Sequence, residues 1–470
     1  MQETATSEAP VSARQNDAAA VVASPRLTGS SVYALTFGCQ MNTLDTELAL
    51  SALATDGAAR VEENENADVV MVNTCSVREH AESKAYSFLG TLKKKKRANP
   101  SLVIAVVGCM AQKDGELIFR RAPYVDIVAG TKHFTRLNDY VAQVRAGGRR
   151  ILALDRDEQV RSELRAPSIR DDRFAAYIAV MRGCDHHCTY CVVPNTRGIE
   201  DSKPLDDVVR EAEILVGDGV TEITLLGQNI DSYGKRLKPR SSLAELIQRV
   251  AAVPGLKRLR FITSHPADIK PELIECFRAG AIANLMPYFH FPAQSGSDEI
   301  LKRMRRGYTQ TRYLEIVESV RSVRPDIGIA GDTIVGFCGE TDADFEATLE
   351  LHRKARYQNA FTFTYSERAY TPALQLGLKD DVPLAVKDER LQRLMALQRE
   401  IQGVNNQALI GRECEVLVES PSKTDASVWY GRSPQNQPVH FKSGRVDLAG
   451  RYVSVRITRA TDLALYAEPV

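Results

Sequence analysis

Three cysteines lie within eight positions in the stretch VMRGCDHHCTYCVVPNTRG, at Cys184, Cys188 and Cys191. Thiolates in a C-x3-C-x2-C arrangement are ligands for zinc or for an iron–sulfur cluster. Zinc would take a fourth ligand from His186 or His187, but both histidines lie inside the loop that would have to wrap the metal. We therefore favour a 4Fe–4S cluster on three thiolates, which leaves one iron without a protein ligand as an open, functional position.

A second set of three cysteines is spread along the first part of the chain. Cys39, Cys75 and Cys109 each follow a β-rich run, in TFGCQMN, VNTCSVRE and VVGCMAQ, at intervals of 36 and 34 residues. Such an interval suits one βαβ unit, and parallel strands place their carboxyl ends at one edge of a sheet. We predict that these three thiols meet in one crevice. The alternative is three separate, buried structural cysteines.

The elements that must position these residues fall into three regions. Alternating strand and helix patterns over 31–150 predict a small α/β domain with a mostly parallel sheet of four strands. Six more strand patterns alternate with helices over 173–405 and predict a partial (βα)6 barrel, with chemistry at the carboxyl ends of its strands. Short alternating runs over 406–470 predict a small all-β barrel. We expect a disordered tail at 1–30 and a charged linker at 151–172.

Composition excludes several classes of protein. Nine cysteines, an odd number, in a chain without a secretory signal pattern favour reduced thiols over disulfides, and so a cytoplasmic protein. No apolar run approaches the roughly 18 residues of a membrane span. The net charge of +1 gives no overall attraction to nucleic acid, so any RNA contact must come from local patches.

With Tyr190 before its last cysteine, the C-x3-C-x2-C motif resembles the signature of radical S-adenosylmethionine enzymes. In that superfamily the open iron binds S-adenosylmethionine, and segments at the strand ends line its pocket. LLGQN, HFPAQSGS and GDTIVGFCGE stand at such ends here. The resemblance implies that Tyr190 and five further residues bind the cofactor, namely Gln228, Asn229, Gln294, Ser295 and Gly336.

The motifs GCQMN, NTCSVREHAE, GCMAQ, RGCDHHCTYCVVPNTRG, LLGQNIDSY and MRRGYT resemble the radical S-adenosylmethionine methylthiotransferases in order and context. The resemblance covers about residues 31–470 and is strongest to the tRNA-modifying MiaB branch. It implies two 4Fe–4S clusters, one with S-adenosylmethionine on Cys184, Cys188 and Cys191 and an auxiliary one on Cys39, Cys75 and Cys109. It implies methylthio addition at C2 of N6-isopentenyladenosine at tRNA position 37, next to the anticodon, and a small RNA-binding TRAM domain over 406–470.

The partners implied are the tRNA anticodon stem-loop, an electron donor such as flavodoxin or ferredoxin, and iron–sulfur assembly or sulfur-donor proteins, with no membrane. One alternative is a methylthiotransferase for threonylcarbamoyladenosine in tRNA or for a ribosomal-protein aspartate. Another is a non-catalytic iron–sulfur RNA-binding protein. Two three-cysteine sites favour an enzyme, because a binding module needs neither.

Several residues outside the motifs are candidates for RNA contact. Trp429, Tyr430 and Arg432 would stack on or pair with RNA, with core packing as the alternative for Trp429. Of two basic runs, KRMRRG at 302–307 is the better candidate for phosphate contact, because it lies near the predicted barrel mouth; Lys93–Arg97 ends a helix, where cations complement the helix dipole.

Two positions depart from the family's pattern. Cys338 in GFCGE stands where the family usually has proline, and Tyr370 in YSERAYTPA stands where the family's R-x-G-T-P-A has glycine. At Cys338 we expect a less rigid loop and an additional thiol near the S-adenosylmethionine pocket, and at Tyr370 a different local shape of the pocket. Cys276 and Cys414 belong to neither three-cysteine set, and we interpret both as structural.

Overall fold

The computed structural model divides the chain into an amino-terminal α/β domain, a partial barrel and a closed β-barrel. Residues 1–25 of the predicted tail lie outside the described residues. Leu27, at the end of that predicted tail, is buried in the core of the first domain. The structure describes residues 26–76, 79–155, 165 and 167–470.

The first domain is a parallel sheet covered by helices. Its strands are β1 (Ser31–Phe37), β2 (Ala59–Arg60), β3 (Val69–Thr74), β4 (Val103–Gly108), β5 (Ile127–Ala129) and β6 (Ile151–Ala153). Its helices are α1 (Gln40–Thr55), α2 (Glu79–Ala98), α3 (Cys109–Asp114), α4 (Glu116–Arg121) and α5 (Leu137–Arg145). The six strands lie in the order β2-β1-β3-β4-β5-β6, and every neighbouring pair is parallel.

Both faces of this sheet are buried, which explains the continuous apolar runs of β3 and β4. In β3, Val69 and Met71 pack into one core, while Val70 and Val72 pack into the other. The structure has six strands where we predicted four. The additional strands are only two and three residues long, too short for a recognisable alternation, and Ile151–Ala153 falls within the predicted linker.

The second region is the partial barrel. Its strands are β7 (Ala175–Ala179), β8 (Met181–Arg182), β9 (Asp201–Ser202), β10 (Glu222–Leu226), β11 (Arg258–Phe261), β12 (Tyr288–His290), β13 (Gly328–Val335) and β14 (Asn359–Thr364). Its helices are α6 (Val193–Arg197), α7 (Leu205–Gly217), α8 (Leu243–Ala251), α9 (Pro271–Cys276), α10 (Asp298–Arg303), α11 (Gln310–Val323), α12 (Asp342–Ala355), α13 (Pro372–Gln375) and α14 (Leu384–Gln407).

Six of the strands, β7, β10, β11, β12, β13 and β14, are those predicted from the sequence. They form two parallel sheets, β7-β10-β11 and β12-β13-β14, joined by a parallel bridge between Leu259 and Leu285. Alternate residues such as Ile223, Leu225 and Ile329 face the surrounding helices and form the main core. The carboxyl ends of the strands therefore open on one side, as expected for a (βα)6 barrel.

The third region is a closed five-stranded barrel. Its strands are β15 (Glu413–Pro421), β16 (Val428–Arg432), β17 (Pro438–Lys442), β18 (Tyr452–Ala460) and β19 (Leu465–Pro469), in the order β15-β16-β17-β19-β18. Its core includes Val416, Val439 and Phe441.

This small barrel docks on the amino-terminal ends of the partial-barrel strands. Arg258 donates to the carbonyl oxygens of Arg432 and Glu415, and Arg260 donates to those of Ser433 and Pro434. Both arginines are almost fully buried and lie near Glu222, which compensates part of their charge. The small barrel therefore lies at the end of the partial barrel opposite the predicted site of chemistry.

Within the described residues, no helix combines the length and the apolar character needed to cross a membrane.

Candidate active site

The three amino-terminal thiols lie at one edge of the first sheet. In the register of β1, β3 and β4, Phe37 pairs with Thr74 and Thr74 pairs with Gly108. Each cysteine follows one of these aligned strand ends by one or two residues, so adjacent strands about 4.8 Å apart bring the three side chains together. Cys39 caps the start of α1, Cys75 directly follows β3, and Cys109 begins α3.

The three thiols differ in their readiness to ionise. A hydrogen bond from Cys75, aided by the charge of Arg197, lowers the pKa of Cys39 to about 6 against the effect of burial. Burial raises the pKa of Cys109, although Arg197 opposes that shift. A thiolate is the form that ligates metal, so the lowered pKa of Cys39 and the positive charge of Arg197 both favour metal binding at this edge.

Arg197 belongs to a buried ion network that joins the two domains. Its Nη2 lies 2.7 Å from Oδ2 of Asp45, and Nη1 of Arg182 lies 2.8 Å from Oδ1 of the same carboxylate. Asp45 is on α1 of the first domain, is fully buried, and accepts from both arginines of the second domain. Arg197 ends α6, six residues after Cys191, so one short segment connects the two three-cysteine sites.

The C-x3-C-x2-C loop follows β8 at the carboxyl side of the partial barrel. Gly183 opens the loop with φ +77°, where a Cβ would lie 2.1 Å from the carbonyl oxygen of Ile199. Its N–H donates to Oε1 of Gln228 at 2.6 Å. Burial raises the pKa of both Cys184 and Cys191 to about 12, so these thiols keep their protons until a metal displaces them.

Cys188 has a cationic neighbour that resembles Arg197 at the other site. Nη1 of Arg306 lies 3.5 Å from the Cys188 Sγ, and its other nitrogens donate to Tyr308 Oη and to the carbonyl oxygen of Pro292. Arg306 is 4% exposed. This guanidinium would offset part of the negative charge of a cluster bound by thiolates. The donor set of Cys184, Cys188 and Cys191 therefore suits an iron–sulfur cluster.

Two histidines and a carboxylate also lie next to Cys188. His186 and His265 stack with ring centroids 3.9 Å apart, and Nε2 of His265 lies 4.0 Å from the Cys188 Sγ. Nε2 of His186 is 2.6 Å from Oδ2 of Asp268, which also accepts from Asn229 at 2.6 Å. In the part of the chain that the structure describes, His186, His265 and Asp268 are the one group of such side chains close enough to share a single ion. The hydrogen bond between His186 and Asp268 and the stacking of the two imidazole rings already account for that proximity.

The predicted S-adenosylmethionine contacts divide into two groups. Tyr190, Gln228 and Asn229 lie at the cysteine loop, and Oδ1 of Asn229 is buried without a hydrogen-bond partner among the described residues. An orphaned acceptor of this kind is the sort of atom that a bound ligand satisfies.

The other three predicted contacts are engaged with neighbouring elements. Gln294 has φ +73° and bridges to Thr333 on β13. The Ser295 hydroxyl lies 3.3 Å from that of Thr348 on α12. Gly336 has φ +71°, and a Cβ there would lie 2.3 Å from Cγ of Lys387 on α14.

The interior of the partial barrel has a polar side and an aromatic side. Thr333 contacts His352 on α12, so the alternate residues of β13, Asp332 and Ile334, face inward. Their in-register neighbours on β14 are Phe361 and Phe363, which therefore face inward as well. On the neighbouring strand β12, Nε2 of His290 lies 3.4 Å from Oδ2 of Asp332. Nδ1 of His290 is buried without a hydrogen-bond partner in the described part of the chain.

The basic run at 302–307 does not form one surface. Arg306 is buried against Cys188, and Arg303 donates to the carbonyl oxygens of Cys338 and Gly339. Of the cations in this run, only Lys302 and Arg305 are exposed. The sequence did not reveal the role of Arg306, because a run of basic residues gives no sign of which member is buried.

The three candidates for RNA contact in the small barrel also make contacts within the protein. Trp429 is 4% exposed and lies in the core, with its Nε1 donating to the carbonyl oxygen of Arg445. The alternative interpretation, core packing, therefore holds for Trp429. Tyr430 is half-buried beside His440, and Arg432 pairs with Glu419.

The remaining cysteines lie away from both sets. Cys276 packs into the core of the partial barrel and Cys414 against the core of the small barrel. Cys338 is 4% exposed in an apolar cluster with Met304, Phe337 and Tyr365, against which Tyr190 also packs.

Three segments of the chain match known domain families. Residues 31–130 match the uncharacterized protein family UPF0004, residues 178–352 the radical SAM superfamily, and residues 407–470 the TRAM domain. The three matches coincide with the three structural regions.

Relatives of known name extend over nearly the whole chain. The tRNA-2-methylthio-N(6)-dimethylallyladenosine synthase of Moorella thermoacetica is 44% identical over 439 residues, covering 93% of this chain and 97% of the relative. That of Pelobacter propionicus is 43% identical over 442 residues, covering 94% and 99%. This chain belongs to the tRNA-2-methylthio-N(6)-dimethylallyladenosine synthase family. The family predicted from the motifs is therefore confirmed.

Solved structures resemble this synthase-family member in fold. The radical S-adenosylmethionine methyltransferase TsrM of Kitasatospora setae, solved with cobalamin and a [4Fe-4S] cluster, superposes with a TM-score of 0.53 at 16% identity, covering 73% of this chain and 76% of that one. The radical enzyme OxsB, solved in its apo form, gives 0.51 at 14%, covering 68% and 51%. These likenesses bear on the fold alone, and they confirm the predicted fold class.

Membership of this family implies which cofactors the protein binds. A radical SAM domain implies S-adenosylmethionine and 4Fe–4S clusters. The chain supplies two suitable donor sets, because each has three cysteines from adjoining elements and one buried arginine near a thiol. The cofactors predicted from the sequence are therefore confirmed.

Proposed function

We propose that this protein adds a methylthio group to C2 of N6-isopentenyladenosine in tRNA, at the position next to the anticodon. The observation that carries the proposal is the identity of 44% to a tRNA-2-methylthio-N(6)-dimethylallyladenosine synthase over 93% of the chain. The geometry supports it, because α6 contacts α3 of the first domain and so connects the two three-cysteine sites. A reaction that needs both a radical and a sulfur group requires two such centres close together.

The cofactors supply chemistry that protein side chains lack: when bound, they provide a 5′-deoxyadenosyl radical and a methylthio group. In this proposal Cys184, Cys188 and Cys191 hold the cluster that binds S-adenosylmethionine, and the first three cysteines of the chain hold the auxiliary cluster. The protein's own part is to position these groups and to keep water away. The burial of Cys75, Cys109, Cys184 and Cys188 is consistent with that part.

Charge compensation is a second task of the chain. Each bound cluster adds negative charge to a poorly hydrated place, where an uncompensated charge is costly. Arg197 near Cys39 and Cys109, and Arg306 at Cys188, are buried guanidinium groups that remain protonated. We infer that they lower the cost of holding the clusters.

The barrel interior suits the substrate base. Phe361 is 44% exposed and, with Phe363, offers an apolar inward surface on β14. An adenine with an isopentenyl substituent has a flat ring and an apolar tail, which suit aromatic contact. Two strands away in the same sheet, Nδ1 of His290, which has no hydrogen-bond partner among the described residues, is available for a polar edge of the ligand.

The proposal also names partners and a compartment. The TRAM domain at residues 407–470 supports RNA as the substrate class. Reduction of the first cluster requires a one-electron donor, for which flavodoxin or ferredoxin is suitable. Replacement of the inserted sulfur requires iron–sulfur assembly or sulfur-donor proteins. We place the reaction in the cytoplasm, where tRNA is available and thiols stay reduced.

A single anaerobic assay tests the proposal. Reconstituted protein, dithionite and S-adenosylmethionine are incubated with tRNA that carries N6-isopentenyladenosine, and the nucleosides are analysed by mass spectrometry. We expect a gain of one methylthio group on that nucleoside. Parallel reactions use tRNA with unmodified adenosine or with threonylcarbamoyladenosine. Formation of 5′-deoxyadenosine without methylthio product on the isopentenyl substrate would refute the substrate assignment and leave the radical chemistry standing.

A further inference from the structure

Tyr370 has a backbone conformation that its side chain disfavours. Its φ is +67°, in the left-handed region that a bulky residue rarely adopts and that glycine adopts without strain. Such a conformation costs on the order of 1 kcal/mol or more and persists only where the surroundings hold it. Here Nδ2 of Asn195 donates to the carbonyl oxygen of Tyr370, and the next residue, Thr371, is buried.

The fold gains nothing visible from the tyrosine ring. Tyr370 is 58% exposed. Within the described part of the chain, its hydroxyl makes no hydrogen bond and its ring stacks on no other aromatic side chain. A large and mostly exposed aromatic side chain therefore occupies a position where glycine would be less strained.

The contacts made by the residues around Tyr370 show where its ring lies relative to the two three-cysteine sites. Two residues before it, Arg368 lies 3.7 Å from Glu82 on α2, the helix that follows Cys75. Three residues after it, the N–H of Ala373 donates to the carbonyl oxygen of Thr189, between Cys188 and Cys191. Asn195, which holds the Tyr370 carbonyl, lies in the helix that follows Cys191. Tyr370 therefore stands where elements from both three-cysteine sites meet.

We propose that the ring of Tyr370 stacks on an unpaired base of the RNA, next to the base that enters the barrel. The inference rests on the proposed function, because it takes a tRNA anticodon loop as the ligand. Proteins bind such loops by splaying unpaired bases and stacking them on aromatic rings. The exposed ring, close to elements of both three-cysteine sites, has the chemistry for that contact.

Three substitutions separate stacking from a structural role. Tyr370→Gly removes the ring and relieves the backbone, Tyr370→Phe keeps the ring, and Tyr370→Leu keeps apolar bulk without a π face. Ile214→Ala, an exposed apolar side chain on α7, is the matched control. The probe is a fluorescently labelled anticodon stem-loop RNA containing N6-isopentenyladenosine, titrated with reconstituted protein and followed by anisotropy. Thermal unfolding of each variant is measured in parallel.

We expect Tyr370→Gly to weaken binding about tenfold, within a range of roughly 5- to 100-fold, which is typical for loss of one stacked base. The affinity of Tyr370→Leu should be close to that of Tyr370→Gly. Tyr370→Phe and Ile214→Ala should bind the RNA like the wild type. The salt dependence of binding should not change, because no phosphate contact is lost. The unfolding temperature of Tyr370→Gly should equal or exceed that of the wild type.

Other outcomes overturn the inference. Binding by Tyr370→Gly within twofold of the wild type would show that the ring carries no affinity. Full affinity in Tyr370→Leu would show that apolar bulk, and not stacking, is used. A lower unfolding temperature in Tyr370→Gly together with weaker binding would assign the ring a structural role. A wild-type protein that fails to bind the RNA at all would remove the proposed function and this inference together, whereas normal methylthio transfer with unaffected variants would remove only the inference.

Discussion

Replacement of Asp45 by alanine should cost more stability than loss of an exposed ion pair, because Asp45 is bound by both Arg182 and Arg197. Its side chain is fully buried, and the two guanidinium groups are at most 9% exposed. Loss of one partner from a buried ion pair costs about 3–5 kcal/mol. Two hydrogen bonds between charged groups, at about 1.5–3 kcal/mol each, give a similar sum.

The assay is urea unfolding of anaerobically reconstituted protein, followed by circular dichroism. For Asp45→Ala we expect the free energy of unfolding to fall by about 3–5 kcal/mol. The control is Asp206→Ala, which removes an ion pair with Arg249 whose side chains are 76% and 52% exposed and should cost at most about 1 kcal/mol. A double variant, Asp45→Ala with Arg182→Met, should recover part of the loss, because one uncompensated buried charge is gone. If Asp45→Ala cost no more than Asp206→Ala, the network would not be what holds the first domain to the barrel.

Three further predictions follow from individual side chains. Cys75→Ala should still form 5′-deoxyadenosine but no methylthio product, whereas Cys188→Ala should lose both products. Both are measured by liquid chromatography and mass spectrometry. An unchanged methylthio yield in Cys75→Ala would contradict the role of Cys75 in the auxiliary cluster. Arg306→Gln should lower the midpoint potential of the cluster on the C-x3-C-x2-C loop by roughly 60–130 mV, because one hydrogen bond from a charged group is lost. The potential is measured by redox titration monitored by electron paramagnetic resonance. An unchanged potential would show that Arg306 does not act on the cluster. Burial lowers the pKa of His352 to about 4 from an ordinary 6.5, so the unfolded chain binds the extra proton between those values and stability falls as pH drops from 6.5 to 4. The loss should reach about 3 kcal/mol and should be reduced in His352→Gln, measured by unfolding at several pH values; the same pH dependence in both proteins would exclude His352 as its source.

The sequence predicted what long local patterns determine. The six barrel strands carry continuous apolar or alternating runs, and each was found where it was expected. The placement of Cys39, Cys75 and Cys109 after neighbouring strand ends followed from parallel pairing, and Phe37, Thr74 and Gly108 are aligned in register.

The sequence could not predict what depends on contacts between distant segments. Trp429 and Arg306 looked like candidates for RNA contact because aromatic and basic residues are common there, but packing buries both. Asp45 lies in an ordinary helical pattern, and nothing near it in sequence indicates that two arginines more than 130 positions away will pair with it. The strand Ile151–Ala153 is too short to be distinguished from a linker.

The placement of the small barrel limits how one RNA can contact both the TRAM domain and the crevice at the three-cysteine sites. Arg258 and Arg260 fix the TRAM domain to the amino-terminal ends of the strands, whereas both three-cysteine sites lie at carboxyl ends. The eight residues of β13 alone span roughly 26 Å at about 3.3 Å per residue. An RNA that contacts the TRAM domain while its target base enters the crevice must therefore extend along the outer wall of the barrel. The TRAM domain can then add affinity for the body of the RNA, but the selection of the target base must come from the crevice itself, where Phe361 and Tyr370 are exposed.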